Sequence, residues 1–280
     1  MKPWYAVVVA PNEPDGGAMV SRIPSFLHPV AGRPLIWHSV NSILGQERPP
    51  EEVLVVTPPE FGGDHFQDLS VRVRTLDLDS VRGEDPSGLG LPETRIVVTH
   101  ASAGIEGEPL ERLLGSEEGA WLGGREGEVV ATLTDWSGFS ALLDADQPFA
   151  TAADRVEPSA RLHETPGVFQ VHTRADLAVA HRRIRDGLVR SLMTAGVTFL
   201  LPETVMVDVD VRIGRDTMIY PGVAIEGQST VGEETVVGPG CRIIDSWIGS
   251  GVELKGWNYI ANTSVRNRAI LEPYVRRGFD

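Results

Sequence analysis

The hydrophobic and polar positions of this chain follow two different periods, one before residue 200 and one after it. Residues 4–10 (WYAVVVA) are a nearly continuous, valine-rich apolar run. That pattern predicts a strand buried on both faces of a parallel sheet. A Pro/Asn/Asp/Gly stretch at 11–17 predicts a loop. Pro34 then precedes Leu35, Ile36, Trp37, Val40, Ile43 and Leu44, spaced as on one side of a helix. Residues 53–56 (VLVV) and 95–99 (RIVVT) predict two more buried strands. Strands alternating with helices predict an α/β layered domain with a parallel sheet. Residues 61–90 and 115–127 are polar and glycine-rich, which predicts edge structure or long loops. Residues 174–195 predict a helix with Leu177, Ala180, Ile184, Leu188 and Leu192 on one face, ending at Gly196. The Arg182, Arg183 and Arg185 cluster on that helix reads as a solvated face or as an anion site.

After Pro202 the period becomes six. Val207, Ile213, Ile219, Ile225, Val231, Val237 and Ile243 recur at that spacing, with Val211, Thr217, Val223, Ser229, Thr235 and Cys241 each four positions later. The phase slips by one residue before Ile248, Leu254 and Ile260, and again before Val265 and Leu271. A hexapeptide repeat predicts a parallel β-helix, the aliphatic residue pointing into a narrow core and the small one fitting beside it. The run allows about four coils. The expected division is therefore an α/β domain at 1–200 and a β-helix at 201–280.

Charge and composition narrow the partners. A formal net charge of −14 repels phosphate backbones and anionic lipid, which argues against nucleic-acid and membrane binding. No run approaches the roughly 18 apolar residues of a membrane helix, and no signal peptide is visible. The lone Cys241 excludes an internal disulfide and a thiolate metal site, and fits a cytoplasmic location.

Residues 6–35 (AVVVAPNEPDGGAMVSRIPSFLHPVAGRPL) resemble the opening of the bifunctional N-acetylglucosamine-1-phosphate uridyltransferase / glucosamine-1-phosphate acetyltransferase (GlmU) family. Leu27, His28, Pro29, Val30, Ala31 and Gly32 match that family's motif residue for residue. Further matches lie at 95–114, loosely at 127–135, at 171–198, at 219–222 and at 272–276. The resemblance implies a reduced, Rossmann-like nucleotidyltransferase-type α/β domain followed by a left-handed β-helix, assembled as a homotrimer through the β-helix. Trp247, Trp257, Tyr259 and Tyr274 would either lie between prisms or cap their own coil.

The same resemblance shows where the chemistry departs. The family's loop arginine falls on Ala18, its lysine on Ser25, its magnesium-binding aspartate on Ala101 and its metal-binding asparagine on His172, while Arg174 is retained. Nucleotidyl transfer gathers several negative groups and needs cations and a metal to stabilise them. Arg22 and Arg33 read as stand-in cations or as surface residues, and His172 as a transition-metal ligand or as a plain histidine at the start of a helix. Asn12, Gly16 and Gly17 are the remnant of the nucleotide loop, with Pro11 lacking an N–H and Asp15 repelling phosphate. His100 and Asp135 offer no convincing dyad. The segment 114–127 is too short for the family's sugar-binding lobe, and the coils that carry acetyl transfer in relatives would lie beyond Asp280. The expected role is a structural or regulatory subunit without catalysis, cofactor or metal. The rival expectations are a sugar-nucleotide nucleotidyltransferase of altered activity and a uridine-nucleotide-sensing module, either of which would need magnesium and a uridine nucleotide.

Overall fold

The structure is a computed structural model and describes residues 3–10, 18–58, 61, 66, 73–81, 95–105, 107–117, 119–123, 129–143, 160–162 and 167–278. Packing divides the chain into two units: Met1–His28 with Pro34–Leu177, and Pro29–Arg33 with Ala178–Asp280. The elements up to the long helix are β1 (Tyr5–Val9), β2 (Pro29–Val30), β3 (Arg33–Pro34), α1 (Leu35–Leu44), β4 (Val53–Thr57), β5 (Val73–Asp77), α2 (Leu78–Val81), β6 (Ile96–His100), β7 (Ala103–Ile105), α3 (Glu108–Leu114), β8 (Ala120–Gly123), β9 (Val129–Thr134), α4 (Trp136–Leu143), β10 (Ala160–Leu162), β11 (Val168–Gln170) and α5 (Arg174–Thr194).

The first unit is built on a seven-stranded sheet in the order β10-β8-β9-β6-β1-β4-β5. β1 pairs in parallel with both β4 and β6, and β4 with β5. β9 runs antiparallel to β6 and β8, so the sheet is mixed rather than purely parallel. β8 lies within 115–127, where the sequence predicts edge structure or a long loop. Its alternation is short and bounded by glycines, and only pairing with β9 and β10 reveals it. Successive residues of a strand point to opposite faces, and β1 shows it. Ala6 and Val8 join Ile36, Val40 and Ile43 of α1 in one core, while Val7 and Val9 join Leu54, Val56, Val98 and Phe139 in the other. Burial on both faces explains why β1, β4 and β6 read as unbroken apolar runs.

The second unit is a parallel β-helix of three sheets with five, five and four strands. The first strands are β12 (Thr198–Phe199), β13 (Met206–Val207) and β14 (Arg212–Ile213), and the last is β25 (Arg276–Arg277). Between them come β15 (Met218–Ile219), β16 (Ala224–Glu226), β17 (Thr230–Val231), β18 (Val236–Val237), β19 (Arg242–Ile244), β20 (Trp247–Ile248), β21 (Glu253–Leu254), β22 (Tyr259–Ala261), β23 (Ser264–Val265) and β24 (Ile270–Leu271). The sheets are β12-β15-β18-β21-β24, β13-β16-β19-β22-β25 and β14-β17-β20-β23. The predicted column is buried: Ile219, Ile225, Val237, Ile243, Ile248, Leu254 and Ile260 show no exposure. The phase slip has a structural cause. Ile213 stacks on Val231, eighteen residues on, and Val231 on Ile248, seventeen on. The corner between β19 and β20 is one residue shorter, with Asp245 at φ +42°.

A polar ladder lines the inside corners. Thr217 Oγ1 donates to the Gly232 carbonyl at 2.8 Å and receives the Thr235 amide at 3.2 Å. Thr235 Oγ1 repeats the pattern one coil on, with Gly249 and Val252. The hydroxyls satisfy buried backbone groups that the sheets leave over. α5 shows a mixed outcome. Ala180 of the predicted apolar face is buried, Leu177, Ile184, Leu188 and Leu192 are half-buried, and Val189 is the other buried residue of the helix. Val189 and Leu192 pack on the β-helix core with Val197 and Phe199. This is why the packing division falls upstream of the change of period at residue 201.

Candidate functional site

Among the described strands of the first unit, the order of the sheet marks a switch point where a crevice is expected. From β1 the chain proceeds to β4 and β5 on one side, then returns to β6 on the other. The strand order therefore reverses between β1 and β6, and ligands of open α/β sheets bind outside the carboxyl ends at such a point. Val9 and His100 are register partners at those ends. The chain then turns through Ala101 and Ser102 into β7, which pairs antiparallel with β11. The Val171 amide donates to the Ser102 carbonyl at 3.0 Å, and the next residue, His172, comes beside His100 with ring centroids 6.4 Å apart.

His100 has a definite tautomer. Its Nδ1 accepts the Ser102 backbone N–H at 3.1 Å, so the ring proton sits on Nε2. The Ser102 hydroxyl, 2.6 Å from the same Nδ1, must then be a donor too. Burial, with a smaller contribution from His172, pushes the His100 pKa down from 6.5 to about 3. The imidazole is neutral at pH 7 and too weak a base for proton abstraction. Ser102 is fully buried, so the pair does not present a nucleophile to solvent. It is a structural lock on the turn after β6. The sequence carries its signal, His-x-Ser at a strand end, but residue types two apart do not reveal a side chain folding back on its own turn.

The positions singled out in the sequence fall as follows. Asn12, Gly16 and Gly17 lie outside the described residues. Ala18 is exposed at the loop exit, and the carbonyl of its neighbour Met19 accepts Arg174 Nε at 3.1 Å. Ser25 is buried at the start of a short 3-10 turn. Ala101 is fully buried: its amide donates to the Val9 carbonyl at 2.9 Å and its own carbonyl receives the Ser39 hydroxyl at 2.8 Å. His172 is exposed at the foot of α5. There Thr173 and Asp176 form a reciprocal cap, the Thr173 amide and hydroxyl each donating to Asp176 Oδ2 at 2.8 Å. Burial raises the Asp176 pKa, but the hydrogen bonds from Thr173 and His172 outweigh it and hold the carboxyl below its usual value.

Of the stand-in cations, Arg22 is exposed. Arg33 belongs to the second unit and pairs with Asp210, Nε to Oδ2, at 2.7 Å. Asp135 follows β9, whose Thr134 pairs with Ile96, so it lies at the far end of β6 from His100. It caps α4 through the Gly138 amide at 2.8 Å.

Around the crevice the described residues thus supply one guanidinium, Arg174, and two imidazoles, of which His100 has its Nδ1 engaged and its Nε2 protonated. The residues present do not fit a magnesium ion, which prefers oxygen ligands and usually a carboxylate. Among the described residues no group of three or more His, Cys, Asp or Glu is placed to hold a metal. No helix among them is long and apolar enough to cross a membrane.

Comparison with known proteins places this geometry. The family described as "Bacterial transferase hexapeptide (six repeats)" matches residues 210–245. Curated relatives are called "Bifunctional protein GlmU". The protein of Geobacillus sp. (strain WCH70) is 42% identical over 85 residues, 30% of this chain and 18% of the relative. That of Halalkalibacterium halodurans is 36% identical over 135 residues, 48% of this chain and 29% of the relative. The protein of Streptomyces avermitilis aligns with 99% of this chain and 71% of its own length, at 25% identity. The stretches matched in the first two span less than a third of those relatives.

Proposed function

We propose that the chain is a non-catalytic member of the GlmU family, acting as a trimeric structural or regulatory subunit. One observation carries the reading. Ala101, where the family resemblance puts the magnesium-binding aspartate, is fully buried with its amide and carbonyl both engaged, and its neighbour His100 at the strand end is a buried, neutral imidazole. Nucleotidyl transfer depends on cations and a metal set in advance around the phosphates. Ala18 and Ala101 supply neither charge nor a metal ligand, Ser25 supplies only an uncharged hydroxyl, and His172 supplies one imidazole.

A second reading has an observation of its own. Arg174, which the resemblance retains, is held against the Met19 carbonyl next to the loop exit, so one cation still stands beside the crevice. That favours a uridine-nucleotide-sensing module over a plain scaffold, and it needs no turnover. A thermal-shift titration with UTP, UDP-N-acetylglucosamine and magnesium separates the two, because a ligand bound only by the native state raises its melting point. The scaffold reading expects no shift. A saturable shift abolished by Arg174→Ala would replace it with the sensing reading.

Features of the second unit support the trimer. Packing prisms side by side removes apolar surface from water at about 25 cal/mol per Å². Trp247 and Ile270, on two different sheets, are 48% and 62% exposed in the single chain. Hexapeptide repeats at 210–245 and this exposed surface support assembly through the β-helix.

A further inference from the structure

The second unit contains a cavity of about 540 Å³ that the reading of the crevice does not use. One wall is a single face of α5. Ala178, His181, Arg182 and Arg185 line it, spaced three, four and seven positions apart as on one side of a helix. The facing wall comes from the first coils of the β-helix, through Met206, Val207, Asp208 and Glu226, and Pro29, Ala31 and Gly32 close an end.

The two walls differ in charge. On the helix wall Arg185 is spent, since its guanidinium bonds Asp186 and the Glu203 carbonyl. Arg182 is exposed, and no hydrogen bond or ion pair ties it to another of the described residues. His181 Nε2 lies 3.0 Å from the Pro29 carbonyl oxygen, which only accepts, so the ring is fixed with its proton there. On the strand wall, Asp208 Oδ2 accepts the Gly227 amide at 2.8 Å, and Glu226 pairs with Arg242 at 2.6 Å. Burial raises the Asp208 pKa, with Glu226 and Asp210 adding to it against the Gly227 amide and His181. A carboxylate has more acceptor positions than one such partner fills.

We infer that this cavity binds a small phosphorylated polyol, with its phosphate against Arg182 and its hydroxyl groups donating to Asp208 and Glu226. A guanidinium suits a phosphate, and carboxylates suit hydroxyl groups. Ala178, Met206 and Val207 offer an apolar surface for the C–H face of the carbon skeleton. The volume lies within the range of small-ligand sites. The inference rests on the second unit alone and is independent of whether the crevice of the first unit binds nucleotide.

The test is calorimetric titration of the full chain with glucose 6-phosphate, glucose and inorganic phosphate. Glucose 6-phosphate should bind saturably, and glucose and phosphate alone at least about tenfold more weakly. Arg182→Glu, a surface change, should weaken glucose 6-phosphate at least about tenfold, while Arg190→Glu further along α5 leaves it unchanged. Absence of saturable heat up to about 10 mM, or equal binding by Arg182→Glu and the wild type, would overturn the site. Phosphate binding as tightly as glucose 6-phosphate would overturn the polyol assignment.

Discussion

His100 is the residue whose chemistry differs most from that of its free amino acid. Its pKa lies at about 3 in the folded chain against 6.5 for the unperturbed side chain. A group kept neutral in the fold and protonated in the unfolded chain favours folding above pH 6.5. That contribution is lost as pH falls from 6.5 toward 3, because the unfolded state then binds the extra proton. The slope for one such group reaches about 1.4 kcal/mol per pH unit. Urea unfolding of wild type and His100→Gln at pH 7 and pH 5 checks this. The wild type should lose more stability on acidification than the variant; parallel losses would place the acid sensitivity elsewhere. Asp176 is the opposite case. Its depressed pKa marks a cap that holds above the usual carboxylate range and weakens as acid protonates it. Residue-scale features of this kind were hardly legible beforehand. The Thr173–Asp176 spacing is a known helix-start pattern, but the fold of Ser102 onto His100 depends on a turn that β7 and β11 create.

Elements were more legible where their period matches their packing. The six-residue repeat reads directly because each aliphatic residue enters the same thin column, and the one-residue slips mark the shortened corners. β1, α1, β4 and β6 were legible because burial on two faces leaves unbroken apolar runs. β8 was not, since a four-residue strand next to glycines carries too little pattern and owes its existence to its neighbours. Within the β-helix, the corner ladder carries a prediction. Thr235→Val removes a hydroxyl that both donates to Gly249 and accepts from Val252 while keeping the side-chain shape. It leaves buried backbone groups unpaired, and should cost about 1–3 kcal/mol in denaturant unfolding. An unchanged midpoint would show that the ladder contributes nothing net. Ile225 is wholly buried in the column, between Val207 and Ile243. Ile225→Asp places a carboxylate there without a partner, and a loss on the order of 4 kcal/mol is expected.

At the scale of the whole molecule, the repeat and its exposed apolar side chains support self-association, while the net charge of −14 opposes nucleic-acid binding. Light scattering is expected to give about three times the 30.4 kDa chain mass. Ile225→Asp should lower the trimer fraction along with stability, since the column shapes the flat faces that would pack. A monomer at micromolar concentration would contradict the trimer. It would also leave Trp247, Trp257 and Tyr274 to cover coils of their own chain, as the Trp257 ring already does over Gly240 of the preceding coil. Tyr259 has found such partners, with the Arg242 and Arg276 guanidiniums 6.0 and 5.3 Å from its ring centre.

The proposal that the crevice no longer supports nucleotidyl transfer is tested most directly by pyrophosphate release. The full chain would be incubated with UTP, N-acetylglucosamine 1-phosphate and magnesium, beside an active relative run at the same concentration. The proposed loss of cations and metal ligands should leave release at background, and the joint restoration Ala18→Arg, Ser25→Lys, Ala101→Asp, His172→Asn should not rescue it, because the resemblance implies that 114–127 is too short for the family's sugar-binding lobe. Turnover by the wild type within about tenfold of the relative, a barrier difference of only about 1.4 kcal/mol, would contradict the account.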